Sequence, residues 1–132
     1  MDQGPLVIEE TDAGADLVRR FDKYATVKAA FWAKASEENR WYLYIASDQF
    51  DDTHLDTAYG EVLRLAAQMA SPHLDPFQVK LVTTSDPLAR AAMDVHRRYA
   101  GNMATQFGGK NFGGLSVEGV YIYPASVARV AP

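Results

Sequence analysis

The stretch FWAKASEENRWYLYIAS, residues 31–47, decides the fold of this chain. From Val27 to Lys34 the residues alternate in strand-like fashion, and from Arg40 to Ser47 aromatic and β-branched types recur. Between them Ser36-Glu37-Glu38-Asn39 is a polar turn, and Asn39 tolerates a left-handed conformation. The stretch therefore reads as an antiparallel hairpin. Its difficulty is that both alternating sets carry large rings. Phe31, Trp41, Leu43 and Ile45 are assigned to one face, and Trp32, Tyr42 and Tyr44 to the other. Across an odd-length turn Trp32 is expected opposite Tyr44. Such rings are rarely left in water, so the second face is expected to be buried under the first helix or against a second subunit.

Outward from the hairpin, the period changes. Apolar residues at Leu17, Val18, Phe21, Tyr24 and Ala25 have helical spacing, which predicts a helix from Asp12. Residues 1–11 read as a flexible arm with a short extended piece at Leu6–Ile8. After the hairpin, Leu55, Tyr59, Val62, Leu63, Ala66 and Met69 make the stripe of a second helix, which Ser71-Pro72 stops. FQVKLVTT, residues 77–84, reads as a third strand. Asp86 then caps a third helix with Pro87 at its first position, and Gly101 ends it. A Gly-rich loop, residues 101–114, leads to a last strand from Leu115 to Tyr123, and residues 125–132 form a tail.

The expected architecture is a single α+β domain over residues 12–124 with three helices and a mixed four-stranded sheet. The N-terminal hairpin supplies the antiparallel edge, and helical crossovers join the remaining parallel strands. A chain of 132 residues that is 48% hydrophobic and 23% charged can bury a core of its own. Absence of cysteine excludes disulfides, thiolate metal sites and a cysteine nucleophile. No apolar run reaches the length of a membrane helix or of a signal peptide's core, so a soluble, cytoplasmic protein is expected. The net charge of −4 divides into −7 over residues 1–76 and +3 over residues 77–132. The acidic balance weighs against nucleic acid as a partner, even with Lys28 and Lys34 interleaved among the hairpin's rings.

Several clusters invite chemical readings. Asp48, Asp51, Asp52, His54 and Asp56 resemble a cation site, and His54-Leu55-Asp56 has a spacing known from iron ligands. The loop has neither the mid-loop glycine nor the terminal glutamate of a calcium hand. Thr53 and Asp56 have capping-box spacing instead, so no metal is assigned. The glycines and Lys110 of residues 101–114 suggest a phosphate cradle, but that loop leaves a helix C-terminus, the wrong end of the dipole for an anion. Asp75 with Gln78-Val79-Lys80 resembles a relaxed form of the carboxylate–lysine signature of restriction-type nucleases. Its upstream aspartate is not evident, and Lys80 reads as a solvent-facing lysine. His96-Arg97-Arg98 offsets the negative end of the third helix, with an anion patch shared with Lys80 and Lys110 as the alternative.

No nucleophile with a paired base emerges, so the balance leans away from an enzyme, and no cofactor is implied. The expected function is a non-enzymatic interaction module that forms a homodimer through the aromatic face of Trp32, Tyr42 and Tyr44. The alternative is a small-molecule pocket beside residues 101–114, contacted by Tyr99, Lys110 and Phe112.

Overall fold

Strand β1, Ala29–Ala35, is buried along its entire length, and the architecture follows from that. Each of its edges must then carry a neighbour and each of its faces a helix. The computed structural model describes residues 4–38, 40–51, 53–98 and 105–127, with backbone alone for 105–110. In it β1 pairs antiparallel with β2, Tyr42–Ala46, on one side and with β5, Leu115–Ile122, on the other. Strand β3, Val79–Val82, adds to β2 in parallel, and β4, Thr105–Phe112, adds to β5 antiparallel. The sheet order is β3-β2-β1-β5-β4.

The helices follow their stripes. Helix α1, Ile8–Phe21, starts where the Glu10 carboxylate accepts the Val7 N–H at 3.2 Å. It buries Thr11, Gly14, Leu17, Val18 and Phe21 at spacings of three and four. Helix α2, Leu55–Met69, buries Ala58, Val62 and Leu65. Both lie over the face built from Ala30, Trp32, Leu43, Ile45, Val79 and Leu81. Helix α3, Pro87–Arg98, opens as expected: Asp86 Oδ1 accepts the Leu88 N–H at 2.9 Å and the Ala89 N–H at 3.3 Å. Its Leu88, Ala89 and Ala92 cover the opposite face, with Phe31, Tyr44, Phe112, Val117, Val120 and Ile122 beneath. The result is a three-layer α+β domain with a mixed sheet buried on both sides. No helix among the described residues is long and apolar enough to cross a membrane.

Four expectations are corrected. Helix α1 begins at Ile8, so residues 8–11 are helical and not part of the expected arm. The sheet has five strands, because most of the segment read as a loop is β4. Gly113 and Gly114, at φ of 59° and 86°, close a two-residue turn into β5 that only residues free of a Cβ adopt readily. The first hairpin strand is central rather than an edge, and the last strand pairs with it antiparallel, since α3 carries the chain back across the sheet. The hairpin register is also shifted by one residue. Phe31 lies opposite Tyr44 and Trp32 opposite Leu43, so the faces group Trp32 with Trp41, Leu43 and Ile45, and Phe31 with Tyr42 and Tyr44.

Candidate functional site

The parallel pair β2 and β3 ends at one rim of the sheet, and the chain leaves these two strands towards opposite faces. From β2 it enters α2 on one face, and from β3 it enters α3 on the other. A crevice outside the carboxyl ends of parallel strands, where the connections diverge, is where open α/β sheets commonly place ligands. Asp48 lies two residues past β2 and Thr84 two residues past β3. Lys28 directly precedes β1, which runs antiparallel to β2 and so begins at the same rim; the Lys28 N–H donates to the Ala46 carbonyl at 2.8 Å. Helix α3 closes the crevice with Arg90, Met93 and Arg97, which share a side because their spacings are three and four. Together these six residues line an open groove of about 510 Å³.

Three cations and one carboxylate face this space. Lys28 and Arg90 make no ion pair among the described residues. Arg97 Nη2 approaches Asp94 Oδ1 at 3.2 Å, while Arg98 Nε takes the other oxygen of Asp94 at 3.1 Å. A second open groove, of about 410 Å³, lies between α1 and α2 and is lined in part by Arg20, Lys23, Tyr24, Glu61 and Arg64. Two of its cations are already neutralised on their own helices: Arg20 by Asp16 at 3.1 Å, and Arg64 by Glu61 at both carboxylate oxygens, 2.9 Å for the Nε contact. Lys23 is left without an ion pair among the described residues there, against both Lys28 and Arg90 in the first groove.

The sequence-predicted residues fall elsewhere. Trp32 is buried beneath α1, where its Nε1–H donates to the Tyr123 hydroxyl at 2.9 Å and that hydroxyl donates to the Thr11 carbonyl at 2.6 Å. Tyr44 is buried on the α3 face, stacked on Phe31 with centroids 5.0 Å apart, and Phe112 meets the same Phe31 edge-on at 5.7 Å. Tyr42 is half-buried, with the Lys80 ammonium 4.0 Å from its ring centre and the Arg40 guanidinium at 5.6 Å. The structure thus brings Tyr42, Tyr44 and Phe112 to one face and leaves Trp32 on the other. Lys110 lies on β4. Tyr99, and the loop residues 101–104 of the expected pocket, lie outside the described residues.

The other clusters resolve into local structure. Asp51 Oδ1 accepts from the Thr53 hydroxyl at 2.6 Å, the Thr53 N–H at 3.0 Å and the His54 N–H at 3.2 Å, with His54 Nδ1 at 2.9 Å. These bonds, led by the one from the Thr53 side chain, hold its carboxyl down at about 2. Asp51 therefore organises the turn ahead of α2 in place of the expected Thr53–Asp56 box, and no side chain caps the helix itself. Asp75 accepts the Phe77 N–H and pairs with Arg40, Gln78 donates to the Trp41 carbonyl, and Lys80 reaches Glu38 at 3.8 Å.

Set against known proteins, the chain matches no family model, no curated protein and no solved structure. The groove must speak through its own chemistry. The sequence reading brings in Arg97 at a helix end and in an anion patch with Lys80 and Lys110, Lys28 beside the hairpin's rings, and Asp48 in an acidic run, but it does not bring these three together. The available signal was the stripe Arg90, Met93, Arg97 on a helix that follows a parallel strand.

Proposed function

We propose that the protein is a binding module for a small anionic molecule, held in the groove of Lys28, Arg90 and Arg97. The observation that supports this is that Lys28 and Arg90 line one groove without any ion pair among the described residues. The volume lies within the range of small-ligand sites. Guanidinium forks suit carboxylates and phosphates, which they engage through two parallel hydrogen bonds. The site is open to solvent, so the interaction is screened by salt and its affinity modest.

Self-association through the aromatic hairpin draws little support from this arrangement, because the chain's own helices cover Trp32 and Tyr44. A pocket beside residues 101–114 loses most of its intended wall to β4.

Titration calorimetry with citrate, inorganic phosphate and a nucleoside monophosphate at low salt tests the proposal. At least one should bind, and Lys28→Ala and Arg90→Ala should each weaken it about tenfold, or about 1.4 kcal/mol. Absence of binding by all three and by linear dicarboxylates, or unchanged affinity in both variants, refutes it.

A further inference from the structure

The groove reads more than the sign of its ligand. Resting on the proposal that it binds anions, we infer that it selects an elongated dianion, with its two anionic ends about two helical turns apart, over a compact single anion. Arg90 and Arg97 are separated by seven residues of α3, which at 1.5 Å per residue is about 10 Å along the axis. Side chains on a helix lean towards its N-terminus. Arg97 leans this way, its Nη2 3.2 Å from Asp94 Oδ1, and the two side chains are rooted about two turns apart, farther than a single carboxylate or phosphate spans. Between them, one turn from each, sits half-buried Met93, a soft apolar floor suited to a hydrocarbon or sugar-like middle.

The opposite wall sharpens the pattern. Lys28 adds a third cation, while Thr84 offers a hydroxyl and Asp48 a carboxylate. A carboxylate repels an anionic group placed against it and accepts a hydrogen bond from a donor. It therefore disfavours a compact polyanion filling the groove and tolerates a ligand whose charge is concentrated at its ends. A volume of about 510 Å³ is also far larger than one oxyanion needs. The ligand class is thus two carboxylates or phosphates joined by a linker that spans the distance from Arg90 to Arg97.

The test uses the intact protein and unbranched dicarboxylates of increasing length, from succinate to dodecanedioate, beside monocarboxylates of matching length. Calorimetry should show an optimum at intermediate length, with at least tenfold tighter binding than succinate and than the monocarboxylate of equal length. Arg97→Gln should erase that preference, so that dicarboxylates bind no better than monocarboxylates. Arg64→Gln, in the other groove, should preserve it. If affinity rises with length equally for both series, or does not depend on length, the two-ended reading falls while the anion-binding proposal stands. If no dicarboxylate binds and citrate and phosphate also fail, both fall. A repeat of the optimum with a bisphosphate series identifies phosphate ends; its absence there assigns the site to dicarboxylates.

Discussion

Gly14 sits in the middle of a helix, where glycine is a poor choice by about 1 kcal/mol relative to alanine. Its reason is proximity. A Cβ at this position would lie 2.5 Å from the Tyr123 hydroxyl and 3.1 Å from Trp32 Nε1. The missing side chain lets α1 press onto the hydrogen-bonded pair that fills the core, and lets the Tyr123 hydroxyl reach the Thr11 carbonyl one turn away. Gly14→Ala should therefore destabilise the protein by about 1–3 kcal/mol despite its better helix propensity, as measured by urea denaturation. A gain in stability would show that the close approach carries no weight. Burial of Trp32 beneath a helix was readable from the Leu17, Val18 and Phe21 stripe. Its hydrogen-bond partner was not, because Trp32 and Tyr123 are 91 residues apart and meet only once the sheet has closed.

Element ends show where local signals suffice and where they mislead. The Asp86-Pro87 start of α3 was legible because a cap and its helix are neighbours in sequence. The turn Gly113-Gly114 was not, because Gly108 and Gly109 lowered the strand signal of β4 and left residues 101–114 reading as one loop. The hairpin of β1 and β2 was found, whereas its register was not. An odd turn and an even one differ by a single residue, and that step exchanges the two faces. The candidate groove was illegible for a related reason, since its walls come from four separate segments that only the sheet's strand order brings together. Helix α2 ends on Ala70 at φ of 51°, a left-handed conformation that strains a residue bearing a Cβ. Ala70 is exposed, so Ala70→Gly should raise stability by about 0.5–1 kcal/mol, visible as a higher urea midpoint with unchanged slope. A lower midpoint would indicate that the αL cap is not under strain.

With both faces of the sheet covered, the domain's alkaline limit depends on its buried phenols. Burial, then the charges of Glu38 and Asp86, push Tyr44 up to about 12, and burial pushes Tyr123 higher still despite its bond from Trp32. Both lie above the value of about 10 for an unfolded tyrosine. Their contribution to stability is complete below pH 10 and is lost as the pH rises from there towards the folded values, because only the unfolded chain releases these protons. Tyrosinate absorbance should show two of the seven tyrosines ionising only as the near-ultraviolet dichroism collapses. Ionisation of all seven near pH 10 with the dichroism intact would contradict this. The placing of β1 between β2 and β5 has a further consequence, for synthesis. Strand β1 meets β2 within a few residues, but its other neighbour is β5, whose last residue is Ile122. A nascent chain on the ribosome can form the first hairpin and helix early, yet its central strand keeps one bare edge until almost all of the described sequence has emerged. Closure of this sheet therefore waits on β5, and the interval before it is when the chain is most exposed to aggregation and to chaperone capture.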